Sequence, residues 1–178
     1  KSYSQFLNAM SEFAADYFWN NRRAGNPAGR PSMRTDFENA MASLEWALEG
    51  GHSITVAAQL AKDLGFYAIE VGALVRTARA YQRLLEALPS TETQLRIQIT
   101  GTLAATMLST GDYVKGMAVA RSAYDQALNS APELLFTPEA PIYLAPLLAT
   151  AAYMTGDDET AIEASNYVIE ATQRLGLE

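Results

Sequence analysis

Two segments of this 178-residue chain match without a gap. Leu103-Ala104 leads into Thr110-Gly111-Asp112, and 45 residues further on Leu148-Ala149 leads into Thr155-Gly156-Asp157. A third copy lies upstream, where Leu64-Gly65 stands before Gly72 at the same interval. Self-similarity at a period of this size points to stacked structural units and constrains the fold more than any single motif does. From Ser53 onward no segment shows the strict alternation of a half-buried strand, and apolar residues recur at spacings of three and four, so each unit is helical. A two-helix hairpin cannot bury its apolar side alone; its neighbours complete the core, and the stack generates a curved surface.

The spacing predicts eight helices. The first runs from Tyr3 to about Trp19, with Phe6, Leu7, Met10, Phe13, Ala14, Tyr17 and Phe18 on its apolar side. A Gly/Pro-rich loop over 24–34 follows. Thr35 and Glu38 then read as a capping box for a helix over 36–49, whose apolar side is Phe37, Ala40, Met41, Leu44, Ala47 and Leu48 and whose stop is Gly50-Gly51. Further helices are expected near 53–70, 73–88, 92–109, 113–128, 141–155 and 158–175. The breaks between them are Gly72, Pro89, the Gly-Asp pairs at 111 and 156, and the stretch between Pro132 and Pro141. The reading is a single all-α domain over 1–178: an N-terminal capping helical pair in 1–51 and three degenerate repeats in 52–178.

Residue by residue the repeat resembles the tetratricopeptide pattern. In that family a Leu-Gly or Leu-Ala pair lets the first helix approach its neighbour and a Gly turns the chain. A small residue follows five positions on, an aromatic nine on, and a Pro ends the unit. Gly72, Tyr81 and Pro89 fit, as do Gly116 and Ala161 at the small position. Thr77 departs from it, Ala120 and Ser165 replace the aromatic, and the spacing exceeds that of the family. The resemblance implies antiparallel helical hairpins in a right-handed tetratricopeptide-like superhelix. A wider one rests on Phe37-Glu38-Asn39-Ala40 through Leu44-Glu45-Trp46-Ala47-Leu48-Glu49-Gly50-Gly51. This is similar to the segment that opens the helical repeats of AfsR, SARP and MalT-like signal-transduction ATPase transcription regulators of bacteria. It departs from that segment in having Phe37 ahead of Glu-Asn. In that family the repeats receive an inducer or partner protein while separate ATPase and DNA-binding modules act. No GxxxxGK[ST] loop occurs here, and the chain begins at Lys1, so the expectation is the sensor or scaffold piece of something larger.

Chemistry finds little to work with. There is no cysteine, which excludes disulfides, thiolate metal sites and a cysteine nucleophile. His52 is the only histidine, so no two-histidine metal site exists. Asp157, Asp158 and Glu159 are hard oxygen ligands in type, but their position after Gly156 is the first turn of a helix, where the dipole favours negative charge. Glu45 and Glu49 stand one helical turn apart, a spacing that an exposed helical face produces constantly. A formal charge of −7 argues against a nucleic-acid surface. Arg22, Arg23, Arg30 and Arg34 cluster in or beside the 24–34 loop, as a contact for an acidic partner or as a solvated loop. No run is apolar and long enough to span a bilayer, and the N-terminus has no leader pattern. No metal, cofactor or membrane contact is therefore expected, and the location is read as cytoplasmic.

What remains is a binding groove. Mapping the tetratricopeptide pattern puts Gln59, Lys62, Phe66 and Glu70, then Gln98, Ala105 and Leu108, then Tyr143, Thr150 and Tyr153 on the first helix of successive hairpins, which lines the concave surface. Aromatic and amide groups suit a protein or peptide partner, or a small-molecule inducer, although the same aromatics can pack against the adjacent hairpin. The chaperone-type carboxylate clamp is missing, since Phe66 and Gly101 occupy its Asn and basic positions. The expectation is a non-enzymatic binding domain of a regulator. The alternatives are a free-standing adaptor between proteins and a helical enzyme with an acidic site. Phe6, Phe13, Phe18 and Trp19 can cap the first repeat or form a homo-oligomer seam.

Overall fold

The computed structural model describes Gln5, Ala9 and residues 30–50, 53–132 and 140–176. Among them every regular element is a helix and no strand occurs, so the chain is all-α. Seven helices are delimited: α1 (Arg30–Gly50), α2 (Ile54–Val71), α3 (Leu74–Ala87), α4 (Thr93–Ser109), α5 (Tyr113–Leu128), α6 (Ala140–Thr155) and α7 (Asp158–Leu175). Gln5 and Ala9 are also helical, within the segment expected to form the first of eight helices. The aromatics of that segment, Arg22, Arg23 and His52 lie outside the described residues. Contacts divide the chain into two compact units, Lys1–Glu92 and Thr93–Glu178.

One boundary differs substantially from expectation. Of the loop expected over 24–34, residues 30–34 are helical, because α1 already begins at Arg30, and 24–29 lie outside the described residues. Pro31 is then the second helical residue, where its missing N–H is one of the four that a helix start leaves unbonded anyway and its fixed φ favours the helix. Thr35 therefore lies inside the helix and not at the N-cap position that the expected Thr35/Glu38 capping box requires. Arg30 and Arg34 belong to α1 rather than to a loop.

In the first unit, α1 and α2 pack together, and α3 packs on both. The apolar side of α1 is buried through Phe37, Ala40, Met41, Leu44 and Ala47. Tyr81 of α3 is wholly buried and donates its hydroxyl hydrogen to the Ala61 carbonyl of α2, so the largest side chain of that interface brings its polar end to a partner. Thr77, also wholly buried, departs from the small residue of the tetratricopeptide pattern; its hydroxyl donates to the Ala73 carbonyl at 2.8 Å, which removes the cost of burying it.

The second unit is two hairpins, α4/α5 and α6/α7, joined face to face by α5 against α6 and by a crossing of α4 with α6. Its core gathers Ile97 and Ala104 of α4, Ala120, Ala123, Tyr124 and Ala127 of α5, Leu144, Ala145 and Leu148 of α6, and Ala164 of α7. Two glycines set the approach distances. A Cβ on Gly101 would stand 2.6 Å from Leu144 Cδ2, and one on Gly116 2.7 Å from Leu108 Cδ2, so the α4/α6 crossing and the α4/α5 hairpin both close over bare backbone.

The repeated Gly turns are one structure three times over. Gly72, Gly111 and Gly156 hold φ of 73°, 82° and 78°, and the residue after each donates its N–H to the carbonyl five positions back: Ala73 to Ala68, Asp112 to Met107 and Asp157 to Ala152. This is the left-handed glycine stop in which the helix's last carbonyls find partners. Asp112 and Asp157 then cap the next helix, accepting from the Lys115 and Thr160 amides at 3.4 and 3.1 Å.

Candidate functional site

Of the three expected stretches of groove, one falls in the first unit and two in the second. Gln59, Lys62, Phe66 and Glu70 lie along α2 in the first, where Lys62 Nζ donates to Gln59 Oε1 at 3.3 Å. The side chains of Phe66 and Glu70 are outside the described residues. Gln98, Ala105 and Leu108 lie on α4 and Tyr143, Thr150 and Tyr153 on α6, all in the second unit.

Those six positions of the second unit form two equivalent sets, since each α4 residue precedes its α6 counterpart by the 45-residue repeat. Their environments diverge. Gln98 and Ala105 are half-buried, and the Gln98 amide oxygen has no hydrogen-bond partner among the described residues. Leu108 does not join an open face; its side-chain end reaches over Gly116 of α5. On α6 the face is open. Tyr143 is 62% and Tyr153 72% exposed, and Pro146, Thr150 and Met154 lie exposed between and beside them. Positions 143, 146, 150, 153 and 154 share one side of the helix by their three-and-four spacing.

The composition of α6 sharpens this. It has no charged residue in 16, and its opposite side is buried through Ala140, Pro141, Leu144, Ala145, Leu148, Ala151 and Ala152. A helix that is apolar all round normally has both sides covered. Here one side carries two exposed tyrosines and a methionine, residue types that supply large contact area with little loss of side-chain freedom. Pro146 adds a further feature: it has no N–H, so the Ile142 carbonyl has no i+4 amide to bond.

In the first unit sequence reasoning missed a charged cluster. Arg76 of α3 donates from Nε and Nη2 to the two carboxylate oxygens of Glu45 at 2.7 Å each, and from Nη1 to Glu38 Oε2 at 2.6 Å. The fork geometry is the bidentate one that guanidinium favours. The hydrogen bonds from Arg76 hold the Glu45 carboxyl below the usual carboxylate range, while the pair pushes the Arg76 pKa up. An ionised Glu45 held in this way is opposed to a general-acid role, which answers the Glu45/Glu49 spacing. Beside it, Glu45, Val75, Arg76, Arg79, Ala80 and Arg83 line an open cleft of about 320 Å³. The 76, 79, 83 spacing was the available signal, but Glu45 lies 31 residues from Arg76 in sequence and nothing local ties them together.

Of the other chemical candidates, Asp157 is occupied as an N-cap, with its pKa lowered chiefly by the Thr160 amide, and Asp158 and Glu159 are exposed in the first turn of α7. Among the described residues no group of three His, Cys, Asp or Glu stands close enough to hold a metal ion. Among the same residues no helix is long and apolar enough to cross a membrane. The chain matches no known protein family, curated protein or solved structure in comparisons with each.

Proposed function

We propose that this chain is a binding domain, a scaffold or sensor of the tetratricopeptide kind, that receives a protein or peptide on the uncharged open face of α6. The observation that carries the reading is the exposure of Tyr143 and Tyr153 on a helix without a single charge. Exposed aromatics at helical spacing, with the Thr150 hydroxyl between them, offer stacking area together with a hydrogen-bonding group, the combination from which interface hot spots are built. The resemblance of the Trp46 segment supports placing this domain within a larger bacterial transcription regulator, acting without catalysis of its own.

A photo-crosslinking side chain at position 150 tests the surface in cells that express the protein. A discrete adduct is expected, lost when Tyr143 and Tyr153 are both replaced by Ala, and absent when the same probe stands at Ser122 on the exposed side of α5. Equal labelling from positions 150 and 122 would refute the assignment of the face. The regulator reading has its own check: a native gene product of only about 19.3 kDa in cell extract would sink it.

A further inference from the structure

The 45-residue repeat makes α5 and α7 equivalent, so the surface that α5 presents to the next hairpin can be compared position by position with the surface that α7 presents. Met117, Ala120, Arg121 and Tyr124 of α5 correspond to Ile162, Ser165, Asn166 and Ile169 of α7. On α5 this surface is covered. Ala120 is 1% and Tyr124 4% exposed, and Met117 packs on the same core, its sulfur accepting from the Thr155 hydroxyl at the end of α6 at 3.2 Å. Arg121 Nη2 donates to Thr160 Oγ1 at 2.9 Å, and the Tyr124 ring meets Tyr167 edge to face with centroids 5.5 Å apart. All of these partners belong to the α6/α7 hairpin.

On α7 the same surface lies open, with Ile162 61% and Ile169 53% exposed and Ser165 and Asn166 exposed between them. The inner side of α7, where Thr160, Ala164 and Ala171 are buried, is already committed, since α7 packs on α6 and Thr160 also accepts from Arg121 of α5. A terminal repeat that ends an array carries a polar outer face. Two isoleucines seven residues apart with a small residue midway are instead what a stacking position needs, and they repeat the chemistry of Met117, Ala120 and Tyr124.

We infer that the outer face of α7 is an unfilled stacking position, and that it takes the leading helix of a further hairpin of the same type, uncharged and lined with alanines as α6 is. The α5/α6 interface already shows which helix this surface accepts, and the α7 surface continues it one repeat on. This stacking position lies on a different helix from the proposed binding face, and its failure would leave that reading untouched.

The test is an extended chain in which a second copy of residues 129–176 follows Gln173, the position equivalent to Leu128. The extended chain is expected to unfold at a midpoint at least about 4 °C above the original, given two isoleucines newly buried. The α7 amides of the original hairpin should exchange at least roughly tenfold more slowly. Ile162→Asp together with Ile169→Asp should abolish both gains while moving the unextended chain by less than about 2 °C, as expected for exposed positions. Unchanged α7 exchange in the extended chain overturns the proposal, whether or not the added hairpin folds. Sedimentation gives the other overturning result: an unextended chain that is dimeric, and made monomeric by the two Asp substitutions, has a second copy of itself as the occupant.

Discussion

Replacing Gly101 by Ala sets two effects of similar size against each other. In a helix interior Ala is favoured over Gly by about 1 kcal/mol, because Gly surrenders more backbone freedom. Against this, the new Cβ would lie 2.6 Å from Leu144 Cδ2, a distance that non-bonded carbons do not hold, and both residues are buried. Overpacking of this kind costs about 1–3 kcal/mol, with the lower end applying when the obstructing group is a side-chain end that can rotate. Gly101→Ala should therefore destabilise the protein by about 0–2 kcal/mol, and Gly101→Val, with two further carbons in the same gap, by more. Leu144→Ala alone should cost about 2–5 kcal/mol, since it empties a site in the core. In the double variant the clash is gone and the propensity gain of Ala is realised, so its total should be smaller than the sum of the single costs by about 1–3 kcal/mol. Guanidinium unfolding of the four proteins, followed by helical circular dichroism, measures this coupling. A coupling energy near zero would refute the claim that the α4/α6 crossing closes over the bare backbone of Gly101.

Other expectations follow from single contacts. Tyr81→Phe removes the hydroxyl from its bond to the Ala61 carbonyl and should cost about 0.5–1.5 kcal/mol by the same unfolding measurement. Glu45 has a folded pKa below its unfolded value, so its contribution is present above the unfolded value near 4.5 and is lost as pH falls through the folded one. Glu45→Gln should flatten the acid limb of a stability-against-pH curve, by less than about 1 kcal/mol because the side chain is a third exposed. Burial pushes the Tyr124 hydroxyl up to about 12, so stability should fall as pH rises from about 10 toward that value, and ultraviolet titration should show a late-ionising tyrosine that Tyr124→Phe removes. Tyr143→Ala and Tyr153→Ala, on an open face, should each change stability by no more than about 0.5 kcal/mol, a control for any binding they abolish.

The sequence announced its helices where backbone chemistry is local. Gly72, Gly111 and Gly156 each need a left-handed φ to close the same turn, so a repeated Gly fixes where one helix stops and the next begins, and α2 through α7 begin and end within about a residue of expectation. The start of α1 was illegible for a related reason: a proline both breaks helices and opens them, and only the chain's path distinguishes Pro31 in the first turn from Pro31 in a loop. Contacts distant in sequence left no local mark. Gly101 read as a missing basic group of a carboxylate clamp, whereas its lack of a side chain makes room for Leu144. The repeat register carried Tyr143, Thr150 and Tyr153 onto one face, but it could not tell that the equivalent Leu108 folds back over Gly116 while Tyr153 stands free, because that depends on the glycine across the hairpin.

The absence of charge on α6 has a kinetic consequence in a protein whose formal charge is −7. If α6 receives a partner as proposed, only the field of the whole molecule would guide its approach, drawing basic partners in and slowing acidic ones, and salt would screen that field. On the proposed reading, a docked partner would be held by tyrosine and methionine contacts that salt hardly touches. Ionic strength should therefore alter how often a complex forms at α6 and leave its lifetime nearly unchanged.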